Sequence, residues 1–174
     1  MMRHLTERDY RSMPWANGRG VTVEMLREEE GGDLFWRLSR ASVVEDGPFS
    51  RFAGVERNLT VISGAGFDLV GSGIILSARP LQPVAFSGDV AILASNVTAP
   101  CDDFNVMTAR HLPLPEVAVQ RQPVHLAAGG MLCLFALGAA RVNGVDLARH
   151  DLVLTDGSAD LIPDAPVLSV RLFR

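Results

Sequence analysis

Arginines beside a tight aromatic turn, and one strand rich in acid and amide, hold most of the chemistry this sequence offers. The stretch from Trp36 to Phe52, WRLSRASVVEDGPFSRF, ends a strand-like run in Asp46-Gly47-Pro48-Phe49-Ser50 and leads on to Arg51 and Arg57. A guanidinium offers a planar fork of donors that matches a carboxylate or phosphate. Arg57 stands just before the apolar run LTVI, which anchors its backbone in rigid structure. The plain alternative is a surface arginine paired with Glu56 or Asp103. In Asp103-Phe104-Asn105-Val106-Met107, period-two alternation puts Asp103, Asn105 and Met107 opposite Phe104 and Val106. That face orients a polar ligand, or satisfies backbone groups at a strand start. Alternation on the preceding strand sends Trp36, Leu38, Arg40 and Ser42 one way and Phe35, Arg37, Ser39, Ala41 and Val43 the other. Both faces mix polar and apolar residues, which fits a barrel wall beside a wet cavity or an edge strand. Trp36 alone reads as core; Phe49 and Arg57 nearby bring it into the candidate site.

Other chemistries find little support. A metal centre needs His or carboxylate side chains converging from one strand or hairpin, and His4, His111, His125 and His150 are scattered without a His-x-His pair. No Gly-x-Ser-x-Gly elbow is present, and the glycine-rich pieces do not open helices that would cradle phosphate. Neither a metal nor an organic cofactor is expected. Cys101 and Cys133 are the only cysteines and read as buried free thiols in a reducing compartment.

The elements that must position these residues are strands. Turn signals recur at Asn17-Gly18, Gly31-Gly32, Asp46-Gly47-Pro48, Gly64-Ala65-Gly66, Gly71-Ser72-Gly73, Asn143-Gly144 and Asp156-Gly157, with short Val, Ile, Leu and Phe runs between them. This is the pattern of an all-β antiparallel protein. Val142-Asn143-Gly144-Val145 predicts a type I′ hairpin. Helix is expected only near the N-terminus and as one turn over residues 112–116. The run NLTVISGAGFDLVGSGIILSARPLQPVAFSGD has a looser cousin in MLCLFALGAARVNGVDLARHDLVLTDGSAD, which favours two fused barrel-like halves. Pro113, Pro115 and Pro123 mark the crossover, giving halves of 1–112 and 113–174 between which strands are able to exchange.

Composition narrows the partners. A formal net charge of -4 gives no field to attract nucleic acid. The longest apolar run, Gly129 to Ala140, is too short to span a membrane of roughly 20 residues. The charged N-terminus, MMRHLTERDY, does not read as an export signal, so a cytoplasmic location is expected. Exposed sheet edges favour a homodimer.

Three segments resemble the HutD, or HutD/Ves, family: MPWANGRGVTVEM, WRLSRASVVEDGPFSRFAGVERNLTVISG and CDDFNVMTAR. They occur in the family's order and run from about Met13 to Arg110. The resemblance implies a double-cupin fold, that is, two fused double-stranded β-helix barrels (a bicupin) lacking the metal-ligating histidines of metal cupins. It also implies an accessory or regulatory role in histidine utilisation through binding a small acidic metabolite such as N-formylglutamate. Residues matching the motifs give the ligand-binding candidates: Arg57 as carboxylate or formyl clamp, with Asn105, Trp36, Asn17, Phe49, Ser39 and Asp103 around it. The chain departs from the family pattern at Ala16, Arg19, Arg40, Ala53 and Ala109, which leaves the ligand open. The alternative is a cofactor-free isomerase or hydrolase acting on a small carboxylic acid, with Asp103 or His111 as general base.

Overall fold

The computed structural model describes residues 1–174, and they fall into two units. One comprises Arg11–His111; the other joins Met1–Tyr10 to Leu112–Arg174. Alternating and doubly apolar runs produce strands throughout, and one 3-10 turn at Glu7–Asp9 is the sole helical element. No turn of helix forms over residues 112–116. Pro113 and Pro115 withhold two backbone donors there, and the chain is already extended where the strand Glu116–Gln120 begins.

Unit 11–111 contains β2 (Arg11–Pro14), β3 (Val21–Glu30), β4 (Asp33–Val43), β5 (Gly47–Pro48), β6 (Val55–Ser63), β7 (Phe67–Gly71), β8 (Ile74–Ala78), β9 (Val84–Ser87), β10 (Ile92–Ser95) and β11 (Cys101–Ala109). They form a six-stranded sheet in the order β2-β3-β4-β11-β6-β9 and a four-stranded sheet in the order β5-β10-β7-β8. Leu59, Val61, Phe67, Leu69, Phe86 and Ile92 fill its core.

The other unit holds β1 (Met2–Leu5), β12 (Glu116–Gln120), β13 (Val124–Leu126), β14 (Met131–Ala136), β15 (Ala140–Val142), β16 (Val145–Leu147), β17 (Leu152–Thr155), β18 (Ala159–Pro163) and β19 (Val167–Leu172). Its sheets run β1-β17-β14-β19-β12 and β13-β18-β15-β16. The apolar run beginning at Gly129 becomes β14, buried along nearly its whole length, as a strand covered on both faces must be. Asn143 and Gly144 have φ of 48° and 81°, the paired positive angles of a type I′ turn.

The sequence echo has a counterpart in the pairing. In unit 11–111, β11 lies between β4 and β6, β6 pairs with β9, and the hairpin β7–β8 continues through β10 to β5. In the other unit, β19 lies between β12 and β14, β14 pairs with β17, and the hairpin β15–β16 continues through β18 to β13. Eight consecutive strands thus repeat one connectivity. The first ten residues, however, belong with the C-terminal residues, because β1 pairs antiparallel with β17, Met2 opposite Thr155.

Candidate functional site

Three neighbouring strands set the site by register. Across β4, β11 and β6, Arg37 lies opposite Met107, which lies opposite Arg57. One step along, Ser39 faces Asn105; two steps along, Ala41 faces Asp103. On the other side of β4, β3 brings Glu24 beside Ser39 and Thr22 beside Ala41. The period of two therefore sends Arg37, Ser39, Ala41, Asp103, Asn105, Met107 and Arg57 to one face. That face lines a cavity of about 800 Å³, closed further by Trp15, Asn17, Phe49 and Phe52. Two register shifts border it, one between Glu24 and Leu26 and one beside Asp103. Such bulges re-aim side chains next to functional sites.

Arg57 is only 7% exposed, yet no carboxylate lies within ion-pair distance of it. Its Nη2 donates to Asn105 Oδ1 at 2.8 Å and its Nη1 to the Ser50 carbonyl at 3.3 Å, while Nε finds no partner. Three phenyl rings surround the guanidinium: Phe49 and Phe52 at 5.4 Å and Phe86 at 5.0 Å. Cation–π attraction recovers part of the lost hydration. Burial, opposed by the Asp103 charge and reinforced by Arg37, still lowers the Arg57 pKa to about 10.

Asn105 relays between the two charged groups, since its amide nitrogen donates to Asp103 Oδ1. This orientation is the one that gives Arg57 an acceptor and Asp103 a donor. Asp103 is 1% exposed, and burial raises its pKa to about 7 against the opposing pull of Arg57 and Asn105. Its second oxygen, Oδ2, is buried without a hydrogen bond. Arg37, 9% exposed, donates Nε to Glu24 Oε2 at 2.7 Å, and its terminal nitrogens make no hydrogen bond within the protein. At the mouth, Arg19 pairs with Glu45.

The structure brings six of the seven sequence candidates together: Arg57, Asn105, Asn17, Phe49, Ser39 and Asp103 all line this cavity. Trp36 does not. It is 3% exposed on the face of β4 turned away from Ser39, and a cavity residue of that strand must share Ser39's parity. The residue with that parity and a charge is Arg37, which sequence reasoning left out of the site together with Glu24. Arg51 is no clamp either; it is exposed and donates to the Asp89 carbonyl at 2.9 Å. The Asp-Gly-Pro-Phe-Ser segment is less free than a turn, because Gly47 and Pro48 pair with β10 and the Phe49 amide donates to the Ile92 carbonyl at 2.8 Å.

His111 packs edge-on against Phe35 at 5.9 Å, away from the cavity lining. His4 and His125 contact Asp151 and Asp160, and His150 stacks on Phe135 at 5.7 Å. No three His, Cys, Asp or Glu residues are grouped so as to hold a metal ion.

The HutD family model matches residues 7–167. The chain belongs to the HutD family. An uncharacterized 21.2 kDa protein in the hutC 3′ region of Pseudomonas putida is 43% identical over 110 residues, which is 60% of this chain and 57% of that protein. The chain therefore aligns with little more than half the length of this curated relative. Among solved structures, HutD from Pseudomonas fluorescens, in a formate condition, superposes with a TM-score of 0.90 at 30% identity, covering 99% of this chain and 98% of that one. A conserved protein of unknown function from Pseudomonas aeruginosa gives 0.86 at 32% identity, with both chains fully covered. A bacterial pirin from Escherichia coli reaches 0.69 at 8% identity over 99% of both chains, a likeness of fold alone that makes the HutD architecture cupin-like. No helix in the protein is long and apolar enough to cross a membrane.

Proposed function

We propose that this HutD chain is a bicupin whose 11–111 unit binds a small carboxylate, in an accessory or regulatory role in cytoplasmic histidine utilisation. The carrying observation is Arg57: a guanidinium removed from water, ringed by phenyl groups and left without a contacting carboxylate. A buried cation of this kind is costly unless an opposite charge joins it. An anion in the cavity supplies that charge, with the terminal nitrogens of Arg37 as a second set of donors. The volume suits a metabolite-sized ligand, and the name of the Pseudomonas putida relative supports a link to the hut region. N-formylglutamate carries the carboxylates and polar carbonyl that such a lining accommodates. Eight strands of repeated connectivity support the two-barrel reading.

Thermal unfolding in the presence of N-formylglutamate, urocanate, glutarate and formate tests this, since a ligand of the native state raises the melting temperature by mass action. One of these acids should stabilise the wild type and shift Arg57→Met and Arg37→Gln clearly less. Equal shifts in all three proteins, or none in the wild type, would refute the reading.

A second reading has one observation in its favour. Asp103 is a buried acid with a pKa near neutrality, the property required of a general base, so the alternative is a cofactor-free isomerase or hydrolase of a small carboxylic acid. It requires turnover of such an acid that is lost in Asp103→Asn. Binding without turnover excludes it.

A further inference from the structure

Asp103 lines the cavity that holds Arg57, so its charge state bears on whether an anion is accepted there. Its Oδ1 is occupied by the Asn105 amide, whereas Oδ2 is buried in the cavity wall with no hydrogen-bond partner. An ionised Oδ2 would set a negative charge against a ligand in the cavity; a protonated Oδ2 would offer it a donor. Arg57 cannot fix the ionised form by direct contact, because Asn105 stands between the two side chains.

We infer that Asp103 takes part in ligand binding as a neutral carboxylic acid whose Oδ2–H is donated to the bound anion, so that the site takes up a proton together with its ligand. This rests on the anion-binding reading above and makes Asp103 a specificity-determining residue of that site. It is ligand and proton together that satisfy both Arg57 and the orphaned oxygen.

The groups facing Asp103 are consistent with this balance. Arg57 on β6 and Arg37 on β4 are cationic, and Glu24 on β3 is engaged with Arg37. Asp102, next along the same strand, opposes ionisation of Asp103. At the mouth, Arg19 and Glu45 pair with each other, and Asp46 accepts from the Val97 amide at 2.8 Å. Burial already holds the free acid near neutrality, with a pKa of about 7. A bound anion raises that value further, since a like charge disfavours ionisation.

The sign follows. Well below about pH 7 the acid is already protonated and binding takes up no proton. Above it, each binding event must also protonate Asp103, so affinity falls about tenfold per pH unit. Small carboxylic acids are fully ionised throughout this range and add no slope of their own.

The experiment is titration calorimetry of the full chain with N-formylglutamate, and with formate as a minimal probe, between about pH 6 and about pH 9. Each titration is run in two buffers of different ionisation enthalpy. The expected result is close to one proton taken up per ligand near pH 8.5, and a dissociation constant roughly a hundredfold weaker at pH 9 than at pH 6. Asp103→Asn, whose amide donates from the Oδ2 position at every pH, should bind across the range with neither slope nor proton uptake. Tight wild-type binding with no proton uptake near pH 8.5 would overturn the inference while leaving the anion site standing. So would an unchanged pH slope in Asp103→Asn. Absence of binding by both probes at every pH would overturn the anion-binding reading itself, and this inference with it.

Discussion

Replacing Arg57 by methionine separates the function of this residue from any role in holding the fold. Folding lowers its pKa from the ordinary arginine range to about 10, so the charged form is disfavoured in the native state by about 3 kcal/mol. Methionine removes that cost at similar volume and offers its thioether to the rings of Phe49, Phe52 and Phe86, a contact worth up to about 1 kcal/mol. Against this, Asn105 Oδ1 loses its donor, at about 1 to 3 kcal/mol for a buried acceptor. The cation–π contacts are also lost, at about 0.5 to 2 kcal/mol. The terms nearly cancel, and Arg57→Met should lie within about 2 kcal/mol of the wild type. Arg57→Ala, by contrast, leaves a void among three phenyl rings and should cost about 3 kcal/mol or more. Urea unfolding of the three proteins, compared by midpoint at unchanged slope, supplies the measurement. A loss above about 4 kcal/mol in Arg57→Met would make the guanidinium a structural keystone, and the argument that an unpaired buried cation waits for a ligand would fail with it.

Other consequences can be measured directly. Because the folded pKa of Asp103 is raised from 3.8 to about 7, the native state holds this proton where the unfolded chain has released it. Its contribution to stability is present below about pH 4 and is lost as pH rises to about 7, by about 4 kcal/mol in all. Asp103→Asn should remove that component, seen as the difference between the two proteins' unfolding free energies against pH; parallel curves would refute the assignment. Gly66 has φ of +91°, and a Cβ there would lie 2.2 Å from the Ala78 carbonyl oxygen. Gly66→Ala should therefore cost at least about 2 kcal/mol, against about 1 kcal/mol for Gly73→Ala, which has positive φ but open space; equal losses would show that the close approach is immaterial. Removing the Glu24 carboxylate leaves Arg37 unneutralised, so Glu24→Gln should bind carboxylates at least as tightly as wild type, while Arg37→Gln weakens them about tenfold or more. Calorimetry ranks the pair, and the reverse order would remove Arg37 from the site.

The sequence carried the strands and their faces better than it carried the site. Turn residues and period-two alternation identify an antiparallel β chain, and Asn143-Gly144 gives its turn type outright, because few residues other than Asn and Gly accept two successive positive φ angles. The strand echo foreshadowed the repeated connectivity although few side chains match, since hairpin order depends on turn chemistry more than on identity. Parity also contained the answer to the Trp36 question. Ser39 and Trp36 lie on opposite faces of one strand, so both could not line one cavity, and Arg37 was the charged residue on Ser39's side. Nearness to Phe49 and Arg57 outweighed parity there, and the structure favours parity. Glu24 was harder to read, because its place beside Ser39 depends on a bulge near Met25 that no residue type announces. The docking of the first ten residues was also illegible, since strand partners distant in the chain leave no local mark.

That distant pairing has a consequence for the order in which the chain is made. β1 leaves the ribosome about 150 residues ahead of its partner β17, a delay of roughly ten to thirty seconds at ordinary rates of synthesis. During that interval residues 11–111, whose strands pair only with one another, are able to assemble their sheets and enclose Arg57 and Asp103. Residues 2–5 must meanwhile remain an unpaired strand, and the charged Arg3 on it is the kind of side chain that discourages pairing with the wrong edge.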